Sequence, residues 1–148
     1  MENTYKFNLT IFIILLLMKS GVIISEEKPE LYFVNIANGD NVSNPIKVNF
    51  GLKNFGVVPA GINLEFAGHH HLLIDVDLED FKAPIPSDSN HLHFGKGQTE
   101  TVLSLSKGQH TLQLVLGNYL HIPHEPPIVS DKICLLYTSP SPRDCLLS

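Results

Sequence analysis

An all-β fold, an immunoglobulin-like antiparallel sandwich of two sheets with about seven strands, is what this sequence predicts. Three observations predict it. Short runs alternate apolar and polar residues, turn signals separate those runs at regular spacing, and no segment carries a convincing amphipathic helical period. The 148 residues set one domain as the expectation.

The first element is an export signal. Lys6 precedes an apolar run from Leu9 to Met18, broken only by Thr10, and Ser25 offers a small residue for cleavage. The run is about half of the ~20 residues that a spanning helix requires. Residues 1–25 therefore read as a secretory signal peptide. The mature chain is expected to start near Glu26, to be periplasmic or secreted, and to keep no transmembrane anchor after processing.

The strands follow in order. Leu31–Ile36 is β-rich and closes on the turn signal Asn38-Gly39-Asp40-Asn41. Ile46–Leu52 alternates, with Ile46, Val48, Phe50 and Leu52 on one face. Gly56–Gly61 reads as a loop around Pro59. His70–Val76 is the next strand, then Thr101–Leu105 and His110–Leu116, joined through the short Lys107-Gly108 connection. A last strand is expected over Ile128–Ile133. Between Asp77 and Asn90 lies a long connection in which Pro84 and Pro86 permit one helical turn at most.

Charge and composition exclude several functions. The net charge of -5 argues against nucleic acid, whose affinity comes mainly from Lys and Arg on phosphates. Between Glu26 and Ile133 there is no Cys, Met, Trp or Arg. Thiol catalysis, thiolate metal sites and thioether copper sites are excluded from that stretch together. Gly95-Lys96-Gly97-Gln98-Thr99 lacks the upstream glycine of a phosphate loop and reads as a turn. The acidic run Asp75, Asp77, Glu79, Asp80 does not match a calcium-loop spacing and reads as a solvated face.

Histidine is the distinctive residue. Seven of the eight histidines fall in three groups: His69-His70-His71, His91-Leu92-His93 and His121-Ile122-Pro123-His124. Residues two apart on a strand point the same way. His91 and His93 thus share a face, as do His69, His71 and Asp75, opposite His70, Leu72 and Ile74. Two imidazoles in an H-x-H pair stand roughly 6–7 Å apart, close enough to reach one ion. His69, His71, His91, His93, His121 and His124 are the candidate ligands, and zinc or copper(II) is the expected cofactor. The competing reading is a structural polar network, with Asp75, Asp88 and Glu100 as partners. His110 is assigned to structure. A metal-dependent enzyme would need a general base, and Glu100 is the only acid near the H-x-H. With Glu26 at the expected mature start, a histidine-brace copper oxidase is excluded. The residues favour a binding module over an enzyme.

Two resemblances complete the reading. Cys134–Cys145, which holds both cysteines and the only arginine, resembles the in-frame translation of a transposon-type sequencing adapter. Residues 134–148 are accordingly read as a non-native tail, and 26–133 as the domain. The stretches Gly68–Asp75, Ala83–Pro86, Asn90–Glu100, Gly108–Leu114 and Leu116–Pro127 are similar to the bacterial family called domain of unknown function 4399, over nearly all of Leu31–Ile133. The family is uncharacterised and has exported single-domain members. The resemblance therefore implies export and domain extent, without implying a reaction.

Overall fold

A computed structural model describes residues 27–138. The expected signal peptide and residues 139–148 lie outside them. The described residues form nine strands and no helix, including none in 77–90. The strands are β1 (Glu30–Phe33), β2 (Asn41–Val42), β3 (Ile46–Lys53), β4 (Gly56–Val57), β5 (Ala67–Ile74), β6 (His91–His93), β7 (Glu100–Leu103), β8 (Gly108–Gly117) and β9 (Ile133–Tyr137). None of the described helices, there being none, could cross a membrane.

Two sheets share one core. The smaller has the order β1-β3-β7, and the larger runs β2-β9-β8-β5-β4 with β6 also paired to β5. Alternation decides which side chains meet between them. Val48 and Phe50 of β3 and Leu31 of β1 face Leu72 of β5, Leu112, Leu114 and Leu116 of β8, and Leu135 of β9 in a single cluster. Most pairs are antiparallel, as the alternation predicts, but β2–β9 and β4–β5 are parallel. These two exceptions are two-residue strands, too short for a period-2 signal to show in sequence.

Strand β5, paired with β8 on one side and with β4 and β6 on the other, is buried at all eight positions. A strand covered on both faces must have a second layer outside the shared core. Here that layer consists of the segments following β5 and β8. Leu73, Val115 and Ile85 form a small apolar cluster there, joined by Val76 and Leu78. The amide of Ile85 donates to the carbonyl of His121 at 2.8 Å, tying the two covering segments together.

The last strand differs from the expectation. Ile128–Ser130 meets β8 only through an isolated Val115–Val129 bridge and flanking bonds, among them Leu116 N–H to the Ile128 carbonyl at 3.0 Å. The Ser130 hydroxyl accepts from the amide of Leu114 at 2.9 Å. The regular ladder starts at Ile133 and continues through Tyr137. Apolar alternation in Ile133, Leu135 and Tyr137 is sufficient for docking on an open edge of β8.

Candidate metal centre

The histidines of β5 divide by parity. His70 points into the shared core, with its ring 5.2 Å from that of Phe50. His69 and His71 point outward, beneath the covering segments, and all three are fully buried. The pairing of β6 with β5 sets His93 directly opposite His71. Two glycines make room for these rings. A Cβ on Gly95 would run into the His93 ring, and one on Gly117 would stand 2.9 Å from His71 Nε2.

His69, His71 and His93 form the one group of three or more potential ligands that the described residues bring together, each with a nitrogen within 4.8 Å of the others'. Nε2 of His69 and Nε2 of His71 are 3.1 Å apart. Ligands held 2.0–2.1 Å from a tetrahedral ion are separated by about 3.3 Å. Nδ1 of His69, Nδ1 of His71 and Nε2 of His93 are buried without a hydrogen-bond partner. Buried polar atoms normally have partners, because leaving one unsatisfied costs about 1–3 kcal/mol. The nitrogens that converge, Nε2 of His69 and Nε2 of His71, meet each other, and the group as a whole is short of polar partners.

Electrostatics keep these rings neutral. Burial is the main cause that pushes His69 down to about 4 and His71 to about 3, and the neighbouring imidazoles push the same way. His93 is lowered too, first by burial and then by His121. Neutral imidazole is the form that binds a metal ion, so at neutral pH no proton must leave.

The other candidates fall elsewhere. The ring of His121 lies 4.7 Å from that of His93 and 4.9 Å from that of His69, beside the group of three. His124 turns to Phe55, with ring centroids 4.9 Å apart, and its Nε2 is buried without a partner. His91 shares the face of His93, opposite Leu73 in the ladder, yet its Nδ1 is held by Asp88 at 2.9 Å.

The carboxylates named in the network reading can now be placed. Asp75 does not continue the outward face of β5. It adopts φ 59°, which ends the strand, and its carboxylate receives His110 Nδ1–H at 2.7 Å and the Thr111 amide at 2.7 Å. Asp88 serves His91. Glu100 pairs with Lys47 on the smaller sheet at 2.9 Å, so it does not stand near the H-x-H as a base. Carboxylates thus serve His91 and His110, and the buried group of three has none.

His110 completes an array with the membership of a nucleophilic triad, since Ser106 Oγ is 3.2 Å from its Nε2. The geometry does not provide the function. Nε2 also faces the Ser106 carbonyl at 2.9 Å, an acceptor that engages a ring N–H and competes with the hydroxyl for that nitrogen. The hydrogen bond to Asp75 raises the His110 pKa.

Two larger clefts lie apart from the group of three. One, of about 700 Å³, is lined by β1 and by residues 129–133. The other, of about 540 Å³, lies along Val76–Asp80, and His91 is the histidine that reaches it.

The family model described as domain of unknown function (DUF4399) matches residues 48–136, a span that contains every histidine discussed above. No curated protein and no solved structure matches the chain. The chain belongs to the DUF4399 family.

Proposed function

We propose that this DUF4399 member is an exported binding module that holds one divalent transition ion, zinc or copper(II), through His69, His71 and His93. The observation that carries the reading is the group itself: three imidazole nitrogens within 4.8 Å of one another, on two buried residues and one half-buried, with rings kept neutral by burial and served by no carboxylate. Imidazole suits zinc and copper among the available ions. Two sheets around one core, read as an immunoglobulin-like sandwich, supply a rigid floor for the ligands. Export rests on the apolar run Leu9–Met18 and the small residue Ser25.

A second reading has its own observation. The 3.1 Å contact between His69 and His71 is a hydrogen bond if one ring donates, and a purely structural imidazole network would retain it.

Calorimetric titration of the folded chain with zinc and with copper(II) separates the two. The metal reading expects saturable binding at micromolar concentration. His93→Ala should weaken it by more than the roughly 10–100-fold typical of losing an outer-shell partner, while His110→Ala should leave it unchanged. No saturable binding, or equal loss from both variants, would leave the network reading standing.

A further inference from the structure

We propose that His121 is a fourth, loop-borne ligand, so that the ion sits in a closed tetrahedral cage of four imidazoles with no position left for water or substrate. This rests on the three-histidine reading above and assigns the site to holding an ion rather than to hydrolysis at one.

The argument starts from the arrangement of the rings. The six centroid separations among His69, His71, His93 and His121 are 4.9, 5.0, 4.9, 5.0, 6.0 and 4.7 Å. Four imidazoles bound tetrahedrally at 2.0–2.1 Å would have centroids about 5 Å apart. The rings therefore already occupy the corners of a nearly regular tetrahedron, with the edge from His71 to His121 the longest. The group of nitrogens within 4.8 Å of one another does not include His121, so the cage requires its side chain to rotate on binding.

The backbone is arranged to keep His121 there. Its φ is 65°, a conformation that a non-glycine residue adopts at a cost and that clusters at functional sites. Asn118 stabilises it. The Asn118 side-chain oxygen accepts from the amides of Leu120 at 2.8 Å and Ile122 at 3.2 Å, and its carbonyl accepts from the His121 amide at 2.9 Å. Gly117, at the start of this loop, leaves room for the His71 ring, since a Cβ there would stand 2.9 Å from His71 Nε2. The His121 carbonyl is also held by Ile85, as described above. A loop fastened at both ends and strained at one residue fixes that residue's position over the other three.

Coordination number decides the chemistry. A zinc site with three protein ligands keeps a position for water, and four protein ligands close it. Cobalt(II) reports the difference through its visible absorption, which is intense when the ion is four-coordinate and shifts when an added anion joins it. The test titrates the chain, His121→Gly and His71→Ala with cobalt(II), then adds azide. Glycine accepts φ 65° without strain, so the variant should fold, and circular dichroism checks that it does.

The wild type is expected to show the four-coordinate spectrum and no response to azide. His121→Gly should bind cobalt at least tenfold more weakly and respond to azide, and added imidazole should restore the wild-type spectrum. An identical affinity and spectrum in His121→Gly, or a wild type that responds to azide as the variant does, would overturn the cage while leaving the three-histidine site intact. Failure of the folded wild type to take up cobalt, zinc or copper would overturn both.

Discussion

His91 and His93 are two positions apart on one strand, and the difference between them is a carboxylate. Asp88 lies three residues before His91 and holds its Nδ1, whereas the His93 ring lies among those of His69, His71 and His121. Spacing in the sequence revealed that the two share a face. It did not reveal that a neighbouring aspartate would engage one of them, because that contact depends on the path of the loop entering β6. His69 and His71 were legible by parity alone, and His70 by the same rule on the opposite face. Burial of these rings has a pH consequence. Burial lowers His69 and His70 to about 4 and His71 to about 3, against about 6.5 in the unfolded chain. Between those limits the unfolded chain binds more protons, so stability is full above pH 6.5 and is lost as pH falls towards 4. Each proton contributes about 1.4 kcal/mol per pH unit. His110 has the opposite sign: its contribution is full below pH 6.5 and fades as pH rises through its raised value, so it does not cancel the acid loss. Urea midpoints of the metal-free chain should therefore fall steeply from pH 6.5 to 4.5, and less steeply in His70→Leu. A flat profile would show that the rings are solvated.

At the scale of the element, the length of the alternating run decides how legible a strand is. β3 carries four apolar residues on one face and β8 three, Leu112, Leu114 and Leu116, enough period to identify strand and face together. β2 and β4 have two residues each, and no period exists over two. The last strand shifted because Ile128–Ser130 is apolar enough to suggest a ladder, yet the Ser130 hydroxyl takes the Leu114 amide and the ladder resumes only at Ile133. β9 is therefore the element whose docking most needs a test. Leu135 is fully buried in the shared core, while Leu136, its neighbour, is 38% exposed. Leu135→Ala should cost about 2–5 kcal/mol, and Leu136→Ala within about 0.5 kcal/mol, both measured by urea unfolding. Equal small effects would mean that β9 does not pack on β8.

Across the whole molecule, the two faces of the larger sheet have different tasks. One completes an apolar core with the smaller sheet, and the other, under two covering segments joined at Ile85 and His121, encloses neutral imidazoles. The sequence showed the histidines and their parity. It could not show the cover, because segments 76–90 and 118–128 have no regular period and are positioned by tertiary contacts. An ion bound only by the folded chain stabilises it, by about 2.7 kcal/mol at a hundredfold excess over Kd, so the site and the fold should be coupled. The most direct measurement is the metal content of the chain after equilibration with zinc and removal of the free ion. The account predicts one zinc per chain for the wild type and for His91→Ala, and none for His71→Ala. A folded wild type that retains no zinc, or a His71→Ala chain that retains as much, would contradict it.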